Sequence, residues 1–311
     1  MKKVICVAGP TASGKSALSV KLAKALDAEI VSCDSMQIYR RMDVGTAKPT
    51  AAEMEGIPHH LIDYVEPDEA YSVSRYVQDA SKCVDGIHEK GKNVIITGGT
   101  GLYMDSLVKG LYFSQRGEDD IIRKRLDLMY LRYGAERMHK LLAKRDADAA
   151  DRIHPNDKRR VLRALEVSFL SPGISRHNAV TREIPARYDA LYLGIDFRDR
   201  AKLYERIDRR VELMLAGGLL SEARELAGRY DRSLTALQAI GYKELFDCLD
   251  EPEKLKTAAE KLKQSTRRYA KRQLTWLRRN EAIKWLYPDE AGEEEIIRIS
   301  TECARSFLYN R

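Results

Sequence analysis

The sequence predicts an α/β fold in which a parallel sheet, flanked by helices and built around a phosphate-binding loop (P-loop), carries an all-helical insertion domain. Three observations favour this class. A glycine-rich phosphate-binding motif lies between an apolar run and an amphipathic helical segment, further apolar runs of strand length follow, and a long polar, basic stretch separates them. We expect residues 1–114 and 189–311 to form the sheet domain, with a helical and basic C-terminal part, and residues 115–188 to form the insertion.

The first observation is the segment 9–16, which reads GPTASGKS and fits the P-loop pattern G-x-x-x-x-G-K-[ST]. The apolar run Val4–Ala8 before it is typical of a buried parallel strand, and leucines follow at helical spacing, at Leu18, Leu22 and Leu26. Glycines allow the loop to curl, so that its N–H groups and the N-terminus of the helix face an anion. The predicted phosphate-binding residues are Gly9, Pro10, Thr11, Ala12, Ser13, Gly14, Lys15 and Ser16.

Two side chains of this loop carry specific chemistry. Lys15 supplies a positive charge, and the hydroxyl of Ser16 can bind Mg²⁺. The motif does not identify the phosphate compound, and ATP or GTP is the usual occupant of such a loop. Nucleotide binding is therefore the default expectation from the motif alone.

Two later strand segments should end beside this loop. The run Ala28–Cys33 ends at Asp34, and the run Lys92–Thr97 is followed by two glycines and Thr100. Because ligands gather at the carboxyl ends of parallel strands, we expect Asp34 and Thr100 to lie near the phosphates. The residues alone leave three roles open for Asp34, which are a water-mediated Mg²⁺ ligand, a general base or a helix N-cap.

The distribution of charge predicts a polyanionic partner for the later part of the chain. Residues 1–110 contain 13 Lys and Arg against 14 Asp and Glu, whereas residues 111–311 contain 41 against 33. In the predicted insertion, four cations at 158–163 lie within little more than one helical turn and could meet successive phosphates of a nucleic acid. The four cations are Lys158, Arg159, Arg160 and Arg163. A solvated basic surface without a ligand is the alternative.

Further elements are predicted around the insertion. A helix from about Arg200 to Gly217 has an apolar stripe, and a second from Glu253 to Arg279 is strongly basic. Tyr269 and Trp276 of the second helix suit packing beside a nucleic acid or stacking on it. The other predicted elements are a helix over 119–169, a helix capped by Ser72 or Ser74 that ends near Glu89, strands at 191–197 and 283–287, and a helix at 289–310.

Composition and cysteine spacing favour a cytoplasmic protein without membrane segments. No apolar run approaches the roughly 20 residues that span a bilayer, and the apolar run after Met-Lys-Lys is too short for a signal peptide. The five cysteines form no C-x-x-C pair, which is typical of reduced thiols and argues against a zinc site or a disulfide framework. The adjacent His59 and His60 have no second pair at ligand spacing, so no metal site is expected there.

Seven motifs together resemble those of one enzyme family. In chain order they read GPTASGKS, IVSCDSMQIYRRMDVGTAKP, PHHLID, GGTGLY, HPNDKRRVLRALE, QAIGYKE and YAKRQLTWLRR. On these motifs the chain resembles the bacterial tRNA dimethylallyltransferases, also called tRNA isopentenyltransferases or IPP transferases. The match extends from the first strand to about Arg279 and lacks the Cys/His pattern of the zinc finger that extended eukaryotic relatives carry.

The resemblance implies an enzyme that transfers an alkyl group. The family moves the dimethylallyl group of dimethylallyl diphosphate to N6 of the adenosine on the 3′ side of the anticodon, in tRNAs that read codons starting with U, and releases diphosphate. Its pattern assigns Asp34 as the general base and places Thr100 at the scissile C–O bond. Lys15, Ser16 and Arg210 match groups that bind the diphosphate, with Mg²⁺ as cofactor at Ser16.

The resemblance also implies which residues contact tRNA. Those that would read a base flipped out of its stack, next to Thr100, are Asp34, Ser35, Met36 and Gln37. Arg123 and the cluster at 158–163 match contacts to the anticodon stem, and the loop from Gln238 to Lys243 matches another segment that faces tRNA. The expected partners are therefore the anticodon stem-loop of tRNA and dimethylallyl diphosphate, bound by a cytoplasmic monomer that does not associate with membranes.

Three other functions are open on the residues alone. A small-molecule kinase would use the same loop for ATP, but it needs no basic helical segments. A prenyltransferase that acts on free adenine nucleotides meets the same objection. A non-enzymatic RNA-binding adaptor would have no use for an intact Lys15 and Ser16.

Overall fold

The computed structural model describes residues 1–110, 120–170 and 185–309. The chain divides into two compact units, of which the first comprises Met1–Val108 with Arg187–Arg311 and the second Lys109–Ala186. The predicted domain boundary at residue 115 and the predicted end of the helical region at 171–173 lie outside the described residues. The contact of the insertion with tRNA stays a prediction.

The first unit contains a parallel sheet, as the sequence predicts. Its strands within the described ranges are β1 (Lys3–Ala8), β2 (Ala28–Ser32), β3 (His59–His60), β4 (Asn93–Gly98), β5 (Asp189–Ile195) and β6 (Ile283–Leu286). They are ordered β3-β2-β4-β1-β5-β6, and each neighbouring pair is parallel. The carboxyl ends of β1, β2 and β4 therefore meet at one edge of the sheet. The edge strand β3 is not predicted, because two residues carry no periodic pattern.

Helices surround this sheet and build the second unit. In chain order, those in the described residues are α1 (Lys15–Leu26), α2 (Ala51–Met54), α3 (Val73–Glu89), α4 (Gly101–Lys109), α5 (Asp120–Arg145), α6 (Ala147–Arg152), α7 (Lys158–Leu170), α8 (Arg200–Ala216), α9 (Leu219–Arg229), α10 (Leu255–Leu277), α11 (Pro288–Ala291) and α12 (Glu293–Tyr309). None of them is long and apolar enough to cross a membrane. Ser72 caps α3 as predicted, since its side-chain oxygen accepts the N–H of Arg75.

Glycines in left-handed conformations account for two differences from the predicted helices. Gly217-Gly218 ends α8 as expected, but Gly218 (φ 98) is also the N-cap of α9, a helix that the sequence analysis did not predict. The helix predicted at 289–310 is divided into α11 and α12, because Gly292 has a φ of 79° that no helix accommodates.

The sheet is buried on both faces, which explains the continuous apolar run of β1. Ile5 and Val7 pack with Leu22 of α1 on one face, whereas Cys6 packs with Tyr76 of α3 on the other. All five side chains are almost completely buried. Replacing a buried leucine such as Leu22 by alanine typically costs about 2–5 kcal/mol, so this packing fixes the position of the P-loop that follows β1.

The second unit is helical, but its helices are shorter than the single stretch predicted over 119–169. Within α5 the chain bends at Gly134 (φ 76, ψ 174), which is not a helical conformation. Asp146 then accepts the N–H of Ala149 and begins α6 as an N-cap. The three helices enclose a core that includes Leu126, Leu142 and Leu165.

A buried carboxylate lies under the edge strand. The side chain of Glu29 is only 4% exposed, and it accepts hydrogen bonds from Lys90 (3.2 Å) and contacts Nε2 of His60 at 2.7 Å. Burial acts to raise the pKa of Glu29, but its hydrogen bonds to His60 and Lys90 outweigh burial and hold it below the ordinary value. His60 is therefore engaged in a structural contact that joins β3 to β2.

Candidate active site

The P-loop lies between β1 and α1 and has the curled main chain that the motif predicts. Gly14 (φ 94) and Ala12 (φ 62) both adopt left-handed conformations. Gly9 has no room for a side chain, because a Cβ there would lie 2.7 Å from Ser13 Oγ and 3.0 Å from the carbonyl oxygen of Ile195. The loop is therefore folded tightly against the end of β5.

Some N–H groups of the loop are already bonded within the protein. The N–H of Thr11 donates to Oε1 of Gln273 (2.9 Å), and that of Ser13 donates to the carbonyl of Pro10 (3.3 Å). The first turn of α1, which begins at Lys15, has N–H groups without helical acceptors, as every helix N-terminus does. We therefore expect the first turn of α1, more than the main chain at Thr11, to face an anion.

Lys15 and Arg210 make this end of the sheet positive. Nζ of Lys15 donates to the carbonyl of Pro10 (3.2 Å). Burial, together with the charge of Arg210, lowers the pKa of Lys15 to about 8, against the opposing effect of Asp34. Burial also lowers the pKa of Arg210. Because desolvation disfavours both charges, an anion that binds between them is strongly favoured.

A cavity of about 300 Å³ opens beside the P-loop, at the carboxyl ends of β2 and β4. The predicted site residues that line it are Thr11, Lys15, Ser16, Asp34, Ser35, Met36, Gln37, Arg210 and Gln238. Its apolar lining includes Ile207, Val211 and Met214 of α8 and Leu262 of α10. The cavity thus combines groups that bind a phosphate with an apolar surface of the kind that a short hydrocarbon covers.

Asp34 follows β2 and has its two carboxylate oxygens in different situations. Oδ1 accepts the N–H groups of Met36 (2.9 Å) and Gln37 (3.3 Å), so the carboxylate caps a turn and not a helix. Oδ2 accepts no hydrogen bond from the described residues. One oxygen therefore fixes the orientation of the side chain, and the other is available to accept a proton from a ligand in the cavity.

Thr100 lies at the same edge of the sheet, but it is not among the residues that line the cavity. Its hydroxyl oxygen accepts the N–H of Ser35 (3.1 Å), and its own N–H donates to the carbonyl of Cys33 (3.2 Å). Thr100 therefore holds in place the residues on either side of Asp34, through these two hydrogen bonds. Its contact with a scissile C–O bond stays a prediction.

Gln37 is held by a loop that Glu222 of α9 supports. The side-chain amide of Gln37 donates to the carbonyls of Thr46 (3.2 Å) and Ala47 (3.0 Å), which leaves its oxygen as an acceptor. Glu222 accepts three N–H groups of residues 43–45, at 2.8, 2.8 and 2.9 Å. A carboxylate that accepts three main-chain donors fixes the loop strongly.

The residues predicted to contact RNA differ in their surroundings. Gln238 lines the cavity and donates from Nε2 to the carbonyl of Arg232 (2.8 Å), whereas Lys243 is exposed and does not line it. In the second unit Arg123 and Lys158 pair with Asp127, Arg160 pairs with Asp157, and both Arg123 and Arg163 pair with Glu166. Arg159 is exposed and has no ion pair within the described residues. Glu166 is only 12% exposed, whereas the pairs of Lys158 and Arg160 are exposed. Exposed pairs contribute only about 0–1 kcal/mol, so phosphates can displace them.

The two aromatic residues of the basic helix have different surroundings, and their stacking on a nucleic acid stays a prediction. Trp276 donates from Nε1 to Oδ2 of Asp105 (2.8 Å), and Gly101 packs so closely against its ring that no Cβ fits there. Tyr269 lines the cavity. Trp276 therefore contacts α4, and Tyr269 faces the cavity.

The described part of the protein offers few ligands for Mg²⁺ by itself. No group of three or more His, Cys, Asp or Glu side chains in the described part of the chain is placed to hold a metal ion. The hydroxyl of Ser16 and the carboxylate of Asp34 do line one cavity. Because Mg²⁺ commonly takes one or two protein oxygens and completes its shell with phosphate oxygens and water, the residues present fit an ion that binds together with a diphosphate.

Known proteins resemble this chain over nearly its whole length. The sequence profile of the IPP transferase family matches residues 37–280. The tRNA dimethylallyltransferase of Acetivibrio thermocellus is 46% identical over 299 residues, which cover 96% of this chain and 95% of the relative. The solved structure of the tRNA isopentenylpyrophosphate transferase from Bacillus halodurans has a TM-score of 0.72 and 40% identity, over 98% of this chain and 96% of that chain. A eukaryotic dimethylallyltransferase acting on tRNA has a TM-score of 0.86 and 32% identity, over 100% of this chain and 80% of that chain.

The parallel sheet, with its flanking helices and the loop between β1 and α1, defines an α/β fold of the P-loop type. The chain belongs to the IPP transferase family, whose profile covers well over half of its length. The resemblance drawn from the sequence motifs is thereby confirmed, and so is the prediction of an enzyme that transfers prenyl groups.

Sequence reasoning missed two residues that organise the site, Glu222 and Gln273. Glu222 lies in a helix that was not predicted, and no local pattern links it to residues 43–45. Gln273 was read only as part of a basic helix, whereas Tyr269 of the same helix was assigned to a nucleic-acid contact and not to the cavity. Their separation of four residues places them on one face of α10, and that spacing is the signal that could have marked them as a pair.

Proposed function

We propose that this chain transfers the dimethylallyl group of dimethylallyl diphosphate to N6 of the adenosine on the 3′ side of the anticodon, in tRNAs that read codons starting with U. The observation that carries the proposal is the lining of one cavity by Asp34, which has a free carboxylate oxygen, and by the desolvated cations Lys15 and Arg210. Relatives whose names specify tRNA and the dimethylallyl group support the choice of substrates.

The leaving group is a diphosphate. When the C–O bond between the allylic carbon and the diphosphate breaks, negative charge grows on the departing oxygens. Lys15, Arg210 and the N–H groups of the first turn of α1 stabilise that charge, because Lys15, Ser16 and Arg210 already line the cavity. Mg²⁺ held by the hydroxyl of Ser16 and the phosphate oxygens would supply further positive charge.

The nucleophile is the exocyclic amine of adenine, whose lone pair is delocalised into the ring. It becomes an effective nucleophile if a base removes its proton while the N–C bond forms. Oδ2 of Asp34 is available for that proton, and the hydrogen bonds from Met36 and Gln37 to Oδ1 keep the carboxylate in place. The proton passes to Asp34, the electron pair of the C–O bond leaves with the diphosphate, and the allylic carbon becomes bonded to N6.

The apolar lining suits the group that moves. Ile207, Val211 and Met214 present aliphatic surface to the same cavity as the P-loop. We assign this surface to the five-carbon group, where it excludes water that would otherwise capture the allylic carbon.

The adenine must leave its stack to enter the cavity, at a cost of a few kcal/mol. Gln37 offers the flipped base an acceptor oxygen, since both hydrogens of its amide are bonded to main-chain carbonyls. We assign the cations of the second unit, Arg159 above all, to the phosphates of the anticodon stem. The binding free energy of these contacts would offset the free energy of unstacking the adenine.

The test is an incubation of the purified chain with labelled dimethylallyl diphosphate and bulk tRNA. We expect label in the RNA fraction, with diphosphate released only when both substrates are present. Parallel reactions replace tRNA with AMP, or dimethylallyl diphosphate with ATP. Labelling of AMP as fast as of tRNA, or consumption of ATP without RNA, would contradict the proposal.

A further inference from the structure

Gln273 of α10 joins two parts of the candidate active site that come from distant segments of the chain. Its side chain is 6% exposed, and it lines the cavity. Oε1 accepts the N–H of Thr11 in the P-loop at 2.9 Å, and Nε2 donates to the carbonyl of Gly99 at 3.0 Å. Both ends of one amide are therefore used, each on a different loop.

The glycines after β4 make this bridge possible. A Cβ on Gly99 would collide with Nε2 of Gln273, and a Cβ on Gly98 would collide with the main chain of Cys33. The amide therefore reaches the main chain of the loop only because Gly99 has no side chain. The glycines of the GGTG segment thus serve contacts within the protein at these two positions.

From Gly99 the connection continues to the proposed base. Thr100 follows Gly99, and its N–H and hydroxyl bond to Cys33 and Ser35, the two neighbours of Asp34. Gln273 thus links the loop that would hold the leaving group to the segment that carries the base.

We infer that Gln273 is a positioning residue, which fixes the distance between the diphosphate site and the carboxylate of Asp34. This inference rests on the proposed function. A displacement of about 1 Å between reacting groups can lower a rate by about 100-fold, so loss of a buried bridge between the two loops should strongly slow the chemical step. A residue that acts only by positioning changes the chemical step and leaves the affinity for tRNA nearly unchanged.

The first test replaces Gln273 with methionine, which has a similar volume and bonds to neither loop. We expect the single-turnover rate at saturating substrates to fall by about 10- to 100-fold and the Kd for tRNA to change by less than about twofold. Gln264 of the same helix is exposed, and Gln264→Met is the matched control that should retain the wild-type rate. Thermal unfolding of each variant shows whether it is folded.

The second test uses Gln273→Glu, because its protonation state sets its hydrogen bonding. The neutral acid accepts from Thr11 through one oxygen and donates its O–H to Gly99, as the amide does. The ionised form can only accept and repels the carbonyl of Gly99. Burial acts to raise the pKa of such a carboxyl above its usual value near 4.3, whereas the cations Lys15, Arg210 and Arg272, which line the same cavity, act to lower it. The ratio of variant to wild-type rate should rise as the pH falls through the pKa that results.

The outcomes separate the inference from the proposed function. A wild-type rate in Gln273→Met, or a Gln273→Glu ratio that does not change with pH, would overturn the positioning role while wild-type transfer continues. If wild-type transfer itself were absent, the proposed function would fail. Calorimetry with inorganic pyrophosphate still decides the bridge in that case: weakening by about tenfold in Gln273→Met, but not in Gln264→Met, supports it, and unchanged binding refutes it.

Discussion

The replacement of Asp34 by asparagine isolates the proposed proton transfer. Asparagine keeps an oxygen that can accept the N–H groups of Met36 and Gln37, so the turn after β2 should be retained. The second oxygen becomes an NH₂ group, which cannot accept a proton. The variant therefore changes the chemistry of the free oxygen and little else.

The magnitude follows from what that oxygen would do. A general base typically contributes about 10²- to 10⁴-fold to a rate, which corresponds to about 3–5 kcal/mol of transition-state stabilisation. We expect the single-turnover rate of Asp34→Asn to fall within that range, and the Kd values for tRNA and dimethylallyl diphosphate to stay within about threefold of the wild type.

The assay is a rapid-quench time course with labelled dimethylallyl diphosphate and excess enzyme, so that product release does not limit the rate. Gln264→Met, an exposed position of α10 that does not line the cavity, is the control that should retain the wild-type rate. A loss of less than about fivefold in Asp34→Asn would refute the assignment of Asp34 as the base.

Three further predictions concern the anion site, the RNA contact and the fold. Lys15→Met should weaken binding of dimethylallyl diphosphate. Because the pKa of Lys15 is about 8, Lys15 loses its charge above that pH, so calorimetry should show the affinity of the wild type falling above pH 8 and no such fall in the variant. Arg159→Ala should weaken tRNA binding and reduce the slope of log K against log salt concentration by about 1. Arg298 is paired with Glu295 and Glu302, and Arg298→Ala should change neither quantity. An unchanged slope for Arg159→Ala excludes a phosphate contact. Glu29→Gln should lower the free energy of unfolding by about 1 kcal/mol at pH 7. Since the pKa of Glu29 is lowered in the folded state, its contribution is present above about pH 4.3 and lost as the pH falls through the folded value, so denaturant titrations should show the difference shrinking below pH 4.

The parts of the fold that depend on local pattern were predictable from the sequence. The P-loop is recognisable because its glycines, Lys15 and Ser16 lie between a short apolar run and leucines at helical spacing. The positions of Asp34 and Thr100 at one edge follow from the rule that parallel strands share their carboxyl ends. These predictions required only neighbours in the chain and one topological rule.

The parts that depend on contacts between distant segments were not predictable. Nothing near Gln273 in the sequence reveals that its amide meets both Thr11 and Gly99, residues 262 and 174 positions away. The charge pattern of α10 indicated a surface for RNA, yet Lys263 pairs with Glu212 and Arg267 with Asp208, both of α8. Opposing carboxylates on another helix are invisible to a count within one segment.

The most direct test of the central claim is mass spectrometry of nucleosides from tRNA treated with the chain and dimethylallyl diphosphate. The account predicts N6-(dimethylallyl)adenosine, located by fragment mapping to the position on the 3′ side of the anticodon, and its loss with Asp34→Asn. Unmodified adenosine at that position after treatment with the active wild-type chain, or modification elsewhere in the tRNA, would contradict it.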